Sequence, residues 1–189
     1  MHPSAYEFST TALTEADVRG KRVVEAGGLN INGSAREAIE ALGPESYLST
    51  DMREGAGVDQ VCDAADLAAA LGKDSADIVI STEMLEHAAD WEAAVQGMVA
   101  LLAPDGLLLL TTRGPGFPLH GYPEDHWRYT PETMTRILDA CGLEILRCEP
   151  DPDPASPGVF ALARKPARWR RPRGQAAALK AIELAPAGS

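Results

Sequence analysis

The sequence predicts an α/β fold: a Rossmann-like, doubly wound, mostly parallel seven-stranded sheet with an antiparallel C-terminal hairpin. Three observations predict it. Short apolar runs alternate with helical periods from residue 22 to residue 141, the pattern of a parallel sheet covered by helices on both faces. The run Leu107–Thr112 is too continuously apolar for a strand with a solvated face. The last two runs, Leu143–Cys148 and Val159–Ala163, are joined by a connector holding Pro150, Pro152, Pro154 and Pro157. Prolines at that density exclude a helix, so the two strands form a reversed pair.

The elements follow in order. Residues 1–20 show no strong period beyond a short helix over Ala12–Val18, with Thr14 at its N-cap, Asp17 three residues on and Gly20 after it. Arg22–Glu25 is a buried strand. Ser34-Ala35-Arg36-Glu37 has the spacing of a capping box and opens a helix that Gly43 ends. Strands over Ser46–Thr50 and Val58–Cys62 end at Asp51 and Asp63, and a helix over Asp66–Leu71 stops at Gly72. Ala76–Ser81 is a fourth strand. Trp91, Val95, Met98, Val99 and Leu102 repeat at helical spacing, and Pro104-Asp105-Gly106 turns the chain into Leu107–Thr112. A long loop covers Arg113–Tyr129, including Tyr122 and Pro123. Thr130-Pro131-Glu132 then starts a helix with a capping threonine and a proline in its first turn.

The 189 residues suffice for one domain with a real core. They divide into an N-terminal helical segment (1–20), a cofactor-binding domain (21–164) and a basic tail (165–189). No apolar stretch reaches the roughly 20 residues of a membrane helix, and the N-terminus lacks the pattern of a secretory signal. The three cysteines, Cys62, Cys141 and Cys148, show no metal or redox spacing and read as reduced thiols of a cytoplasmic protein. The net charge of −11 is uneven: residues 164–189 carry seven basic and one acidic side chain, the rest ten and 27. An acidic body repels phosphate and argues against a nucleic-acid partner. The tail reads as a solvated basic extension able to fold back on that body.

The chemistry concentrates where strands end. Val23-Val24-Glu25-Ala26-Gly27-Gly28-Leu29-Asn30-Ile31-Asn32-Gly33 is an apolar strand ending on an acid and a glycine-rich turn, and Asp51 closes the next strand. Glycines allow close backbone approach to a nucleoside-bearing cofactor, and a strand-end acid can hold ribose hydroxyls.

Together with Cys62-Asp63-Ala64-Ala65-Asp66-Leu67, Asp77-Ile78-Val79-Ile80-Ser81-Thr82-Glu83-Met84-Leu85-Glu86-His87, Leu101-Leu102-Ala103-Pro104-Asp105-Gly106 and Tyr129-Thr130-Pro131-Glu132, these segments occur in a specific order. Over residues 20–165 the chain resembles the class I S-adenosylmethionine-dependent methyltransferases, in particular the small methyltransferase-11-like group. The resemblance implies S-adenosylmethionine as cofactor. It implies that Gly27 and Gly28 approach the methionine part, that Glu25 binds its amino group and that Asp51 accepts the ribose hydroxyls. Met52 would pack on the adenine, Asp63 and the Ala64 N–H would meet its edge, and Ser81, Thr82 and Glu83 would line the floor near the methyl group. The loop departs from the family's acid-x-Gly-x-Gly-x-Gly pattern: Leu29-Asn30-Ile31-Asn32 replaces the middle glycine. Asn30 or Asn32 is expected to take its positive φ, which Asn tolerates better than most residues.

The implied reaction needs an aligned acceptor and, for a hydroxyl, a base. The 113–129 loop lies at the carboxyl edge of the sheet, where ligands bind in such folds. Its His126 and then His120 are the candidate bases, since an imidazole titrates near neutrality. The alternative for His126-Trp127-Arg128 is a packed structural plug. Glu86-His87 reads as support for the loop after the fourth strand. His120, Glu124 and Asp125 follow no metal-ligand spacing, so no metal is expected. The acceptor is expected to be a small molecule, a sugar or natural product, methylated on O or N. Two rivals stand beside this: a nicotinamide-dependent oxidoreductase, which shares the glycine loop, and a non-catalytic cofactor-binding or partner module. The acceptor atom and the oligomeric state are not written in the residues.

Overall fold

The computed structural model describes residues 1–121 and 124–188; Tyr122, Pro123 and Ser189 lie outside the described residues. Among the described residues, nine strands and seven α-helices follow one another. Strands β1 (Arg22–Ala26), β2 (Ser46–Asp51), β3 (Gln60–Val61), β4 (Ala76–Thr82), β5 (Leu102–Arg113), β7 (Glu144–Pro150) and β8 (Gly158–Arg164) form one sheet in the order β3-β2-β1-β4-β5-β8-β7. The first five are parallel. β8 runs antiparallel to both β5 and β7, so it is the single reversed strand. The chain order reverses between β1 and β4, which opens a crevice at their carboxyl ends.

Successive side chains of a strand point to opposite faces, and here both faces are dry. Val24, Val79, Leu108, Leu110 and Ala161 pack on one side with α5 (Trp91–Leu101) and α6 (Pro131–Ala140). Val23, Ile78, Ile80, Leu107, Leu109, Phe160 and Leu162 pack on the other with α1 (Pro3–Thr11), α2 (Glu15–Val18) and α3 (Arg36–Glu40). This alternation is why the strands read as continuous apolar runs.

Thr14 caps α2 in a full capping box with Asp17, as its spacing predicts. Helix α1 was not legible: its apolar face is only Ala5 and Phe8, and Phe8 reaches the core by stacking on Phe160 at 5.0 Å. Three local expectations are corrected. The Ser34 hydroxyl accepts from the Arg36 N–H at 3.1 Å, one residue short of a capping box, and Ala35 holds the N-cap position. β3 shrinks to two residues, held by the edge of β2. β5 begins at Leu102 and carries Pro104-Asp105-Gly106 inside it as a bulge, where the register skips from Ala76↔Leu102 to Ile78↔Leu107. Gly106 is required there, because a Cβ would press on the carbonyls of Ala103 and Asp77.

After Lys165 the chain stays on the body. Lys165 is buried, its ammonium bound by Asp74 at 2.6 Å and by the carbonyls of Val99 and Leu102. Trp169 donates to the Cys141 carbonyl, and Leu179 of α7 (Gln175–Lys180), which packs beside α5 and α6, is fully buried. Short strands β6 (Trp127–Arg128) and β9 (Ala185–Pro186) pair antiparallel. The Arg residues that give this segment its charge stay mostly on the surface, while its apolar side chains pack.

Candidate active site

A cavity of about 620 Å³ opens above the carboxyl ends of β1, β2 and β4. Small-molecule sites span roughly 300–1,000 Å³. Glu25, Gly27, Gly28, Asp51, Met52, Asp63, Ala64, Thr82, Glu83, His120 and His126 all line it. Ser81 does not: it is buried within β4 and outside the lining.

The glycine turn is built by exclusion. Gly27 has φ +79, and a Cβ there would collide with the Met84 side chain; one on Gly28 would collide with the Ser49 hydroxyl and the Glu25 carboxylate. Both glycine N–H groups donate to the Thr50 carbonyl, at 2.8 and 2.9 Å. The turn therefore admits a ligand by its lack of side chains rather than by free donors. Beyond it, neither Asn30 nor Asn32 has positive φ; Gly27 and Gly33 do. Asn30 instead ties the loop, accepting from the Gly33 N–H at 2.9 Å through its side chain and donating its own N–H to the Ala56 carbonyl. A local side-chain hydrogen bond replaces the missing glycine.

Three carboxylates face this half of the cavity. Glu25 is only 2% exposed; burial pushes its pKa up, against the pull of the hydroxyl that Tyr47 donates at 2.9 Å. Asp51 accepts from the N–H groups of Leu29 (3.3 Å) and Arg53 (2.9 Å), which aim it across the turn. Asp63 accepts from the Ala65 N–H with one oxygen and leaves the other on the rim. Met52, 60% exposed, stands beside Asp51. A buried carboxylate suits an ammonium, and a braced one suits a diol.

Glu83 follows β4 with φ +51, a left-handed conformation rare for a residue with a Cβ. Its N–H is held by the Thr111 carbonyl, and its carboxylate takes the Arg113 guanidinium and the His2 N–H. Arg113 also reaches Asp151 (3.4 Å) and the Ser156 hydroxyl (3.0 Å) and lies over the Phe117 ring. Sequence reasoning missed this buried arginine, because it sits at the end of an apolar strand and only the fold brings its partners to it.

The opposite wall holds the histidines. His126 Nε2 lies 3.3 Å from the Glu124 carboxylate, and its backbone N–H donates to the Glu86 carbonyl. His120 Nδ1 lies 3.0 Å from Asp125. Burial works to raise the Asp125 pKa, but hydrogen bonds from Arg128 and the His120 N–H outweigh it and hold it at about 2. Arg128, fully buried, clamps both Asp125 oxygens and the carbonyls of Phe117 and Pro118. Trp127 donates to the Ala88 carbonyl at 3.0 Å. Trp127 and Arg128 thus form the plug, and His126 faces the cavity. His87, whose Nδ1 is 2.6 Å from the Glu124 carbonyl, buttresses the loop.

A family model for a methyltransferase domain matches residues 7–147, about three quarters of the chain. The chain belongs to this methyltransferase family. Its cofactor is S-adenosylmethionine, so the choice left open by the glycine loop goes against a nicotinamide cofactor. Solved structures share the fold at low identity. A 1,6-didemethyltoxoflavin-N1-methyltransferase from Burkholderia thailandensis, solved with 1,6-didemethyltoxoflavin and S-adenosylhomocysteine, is 16% identical with a TM-score of 0.68, covering 86% of this chain and 78% of its own. An S-adenosylmethionine-dependent methyltransferase from Mesorhizobium loti is 19% identical with a TM-score of 0.65, covering 85% and 98%. The [4+2]-cyclase SpnF is 16% identical with a TM-score of 0.63, covering 86% and 80%. No protein of curated function matches the sequence. No helix among the described residues is long and apolar enough to cross a membrane.

Proposed function

We propose that the protein methylates an oxygen or nitrogen of a small-molecule acceptor, with the cofactor held by the β1–β2–β3 side of the cavity and the acceptor by the histidine side. The observation that carries this reading is that both residue sets line one cavity of about 620 Å³. When bound, S-adenosylmethionine supplies an electrophilic methyl carbon on a sulfonium, which departs as a thioether. Glu25 holds the amino group, Gly27 and Gly28 leave room for the methionine part, Asp51 accepts the ribose hydroxyls, and Asp63 and Met52 hold the adenine. Thr82 and Glu83 form the floor. His126 takes the proton of a hydroxyl acceptor, with Glu124 orienting the ring. The small-molecule methyltransferase among the structural relatives supports the acceptor class, as does the acidic body, which disfavours nucleic acid.

The test is transfer of a labelled methyl group to a panel of hydroxylated and amino small molecules, with His126→Ala alongside. Removing a general base lowers turnover of a hydroxyl acceptor by about 100-fold or more. Wild-type turnover by His126→Ala returns that residue to a structural role. Binding of S-adenosylhomocysteine without transfer to any acceptor favours a cofactor-binding module.

A further inference from the structure

Methyl transfer as described leaves one cluster unused. Glu86, His87 and His120 each offer a ligand atom, and the three atoms lie within 4.8 Å of one another. Glu86 is completely buried. Its Oε2 accepts from the Thr112 hydroxyl at 2.7 Å, while its Oε1 has no hydrogen-bond partner among the described residues. Burying a carboxylate oxygen without a donor is costly.

The two imidazoles are held in the tautomer that frees the same nitrogen. His87 Nδ1 faces the Glu124 carbonyl, which only accepts, so Nδ1 carries the hydrogen. His120 Nδ1 faces an Asp125 carboxylate kept ionised by Arg128. Each ring therefore presents Nε2 as a lone pair. The rings sit edge to face, 4.9 Å between centroids, and both line the cavity. A histidine that donates Nδ1–H to a carbonyl or carboxylate while its Nε2 is free is the arrangement found behind metal-ligating histidines.

We propose that Glu86, His87 and His120 bind a divalent transition ion of the Zn²⁺ or Co²⁺ class on the acceptor side of the cavity. Two imidazole nitrogens and one carboxylate oxygen suit such an ion; Mg²⁺ and Ca²⁺ take oxygen ligands. Bonds of about 2.0–2.2 Å bring ligand atoms closer than the present spacing, so binding draws the three side chains together. Thr112, the Glu124 carbonyl and the Asp125–Arg128 pair orient the three ligands. Three protein ligands leave a coordination position for an oxygen donor of the acceptor, a role that rests on the function proposed above. The sequence hides this site because His120 is far along the chain from Glu86-His87 and reaches them only through the loop.

The experiment is calorimetric titration of the tag-free, chelator-stripped full chain with Zn²⁺, Co²⁺ and, as a control, Mg²⁺. We expect one Zn²⁺ per chain at micromolar Kd or tighter and no Mg²⁺ binding at the same concentrations. His120→Ala, at a part-exposed loop position, should weaken Zn²⁺ at least tenfold, and Asp125→Asn by roughly 10- to 100-fold. Absence of one-to-one Zn²⁺ binding, or equal affinity in His120→Ala, overturns the proposal. S-adenosylhomocysteine titrated into the same preparations separates the two readings: its binding without Zn²⁺ overturns the metal site alone, and Zn²⁺ binding without it overturns the cofactor assignment alone.

Discussion

Gly27 and Gly20 both have positive φ, but only Gly27 has a neighbour, Met84, in the place of its missing Cβ. Alanine in the left-handed region costs roughly 1–2 kcal/mol. Gly20→Ala should therefore lower Tm by a few degrees and leave S-adenosylhomocysteine affinity alone. Gly27→Ala should lower Tm at least as far and weaken the ligand more than tenfold. Equal affinity in the two variants would show that the turn does not shape the site. For Asp51, Asp51→Ala removes charge-assisted hydrogen bonds and should weaken binding by about 1.5–3 kcal/mol, roughly 10- to 150-fold, by titration. That Glu25 and Asp51 line the cavity was legible, because both are acids at strand ends that flank the glycine turn. Glu86 was not. Its burial arises from β5 supplying Thr112 and from the loop returning over it, and neither is written in Leu85-Glu86-His87.

At the level of elements, the strands that cross the whole core were readable from their apolar runs, and α1, β6 and β9 were not. Two-residue strands far apart in sequence carry no period. They matter to the cavity nonetheless: the Ala187 N–H, just after β9, donates to the His126 carbonyl at 2.8 Å and braces the 113–129 loop. Leu179, fully buried in α7, tests whether this segment is part of the fold. Leu179→Ala should cost about 2–5 kcal/mol in urea unfolding; a change within about 0.5 kcal/mol would describe an unattached tail. At the opposite end of the sheet, Arg22 ties β1 to β4 through Asp77 at 3.0 Å. Hydrogen bonds from Arg22 outweigh the desolvation that opposes them and lower the Asp77 pKa. A lowered folded pKa contributes stability above the unfolded value, near 3.9, that is lost as pH falls through the folded value. Asp77→Asn should then be less stable than the wild type at pH 7, with the gap closing in acid. A gap unchanged between pH 7 and pH 2.5 would contradict the ion-pair account.

At the scale of the whole molecule, one sheet with its order reversing between β1 and β4 sets every strand-end acid and the 113–129 loop around the same opening. That convergence was legible as topology before any distance was known. The way the walls differ, carboxylates on one side and oriented imidazoles on the other, came only with the fold. The most direct test of the central claim is calorimetric titration of S-adenosylhomocysteine into the wild type and Asp51→Ala. The account predicts one-to-one micromolar binding to the wild type and a loss of tenfold or more in the variant. No binding to the wild type, or equal binding to both, would contradict it.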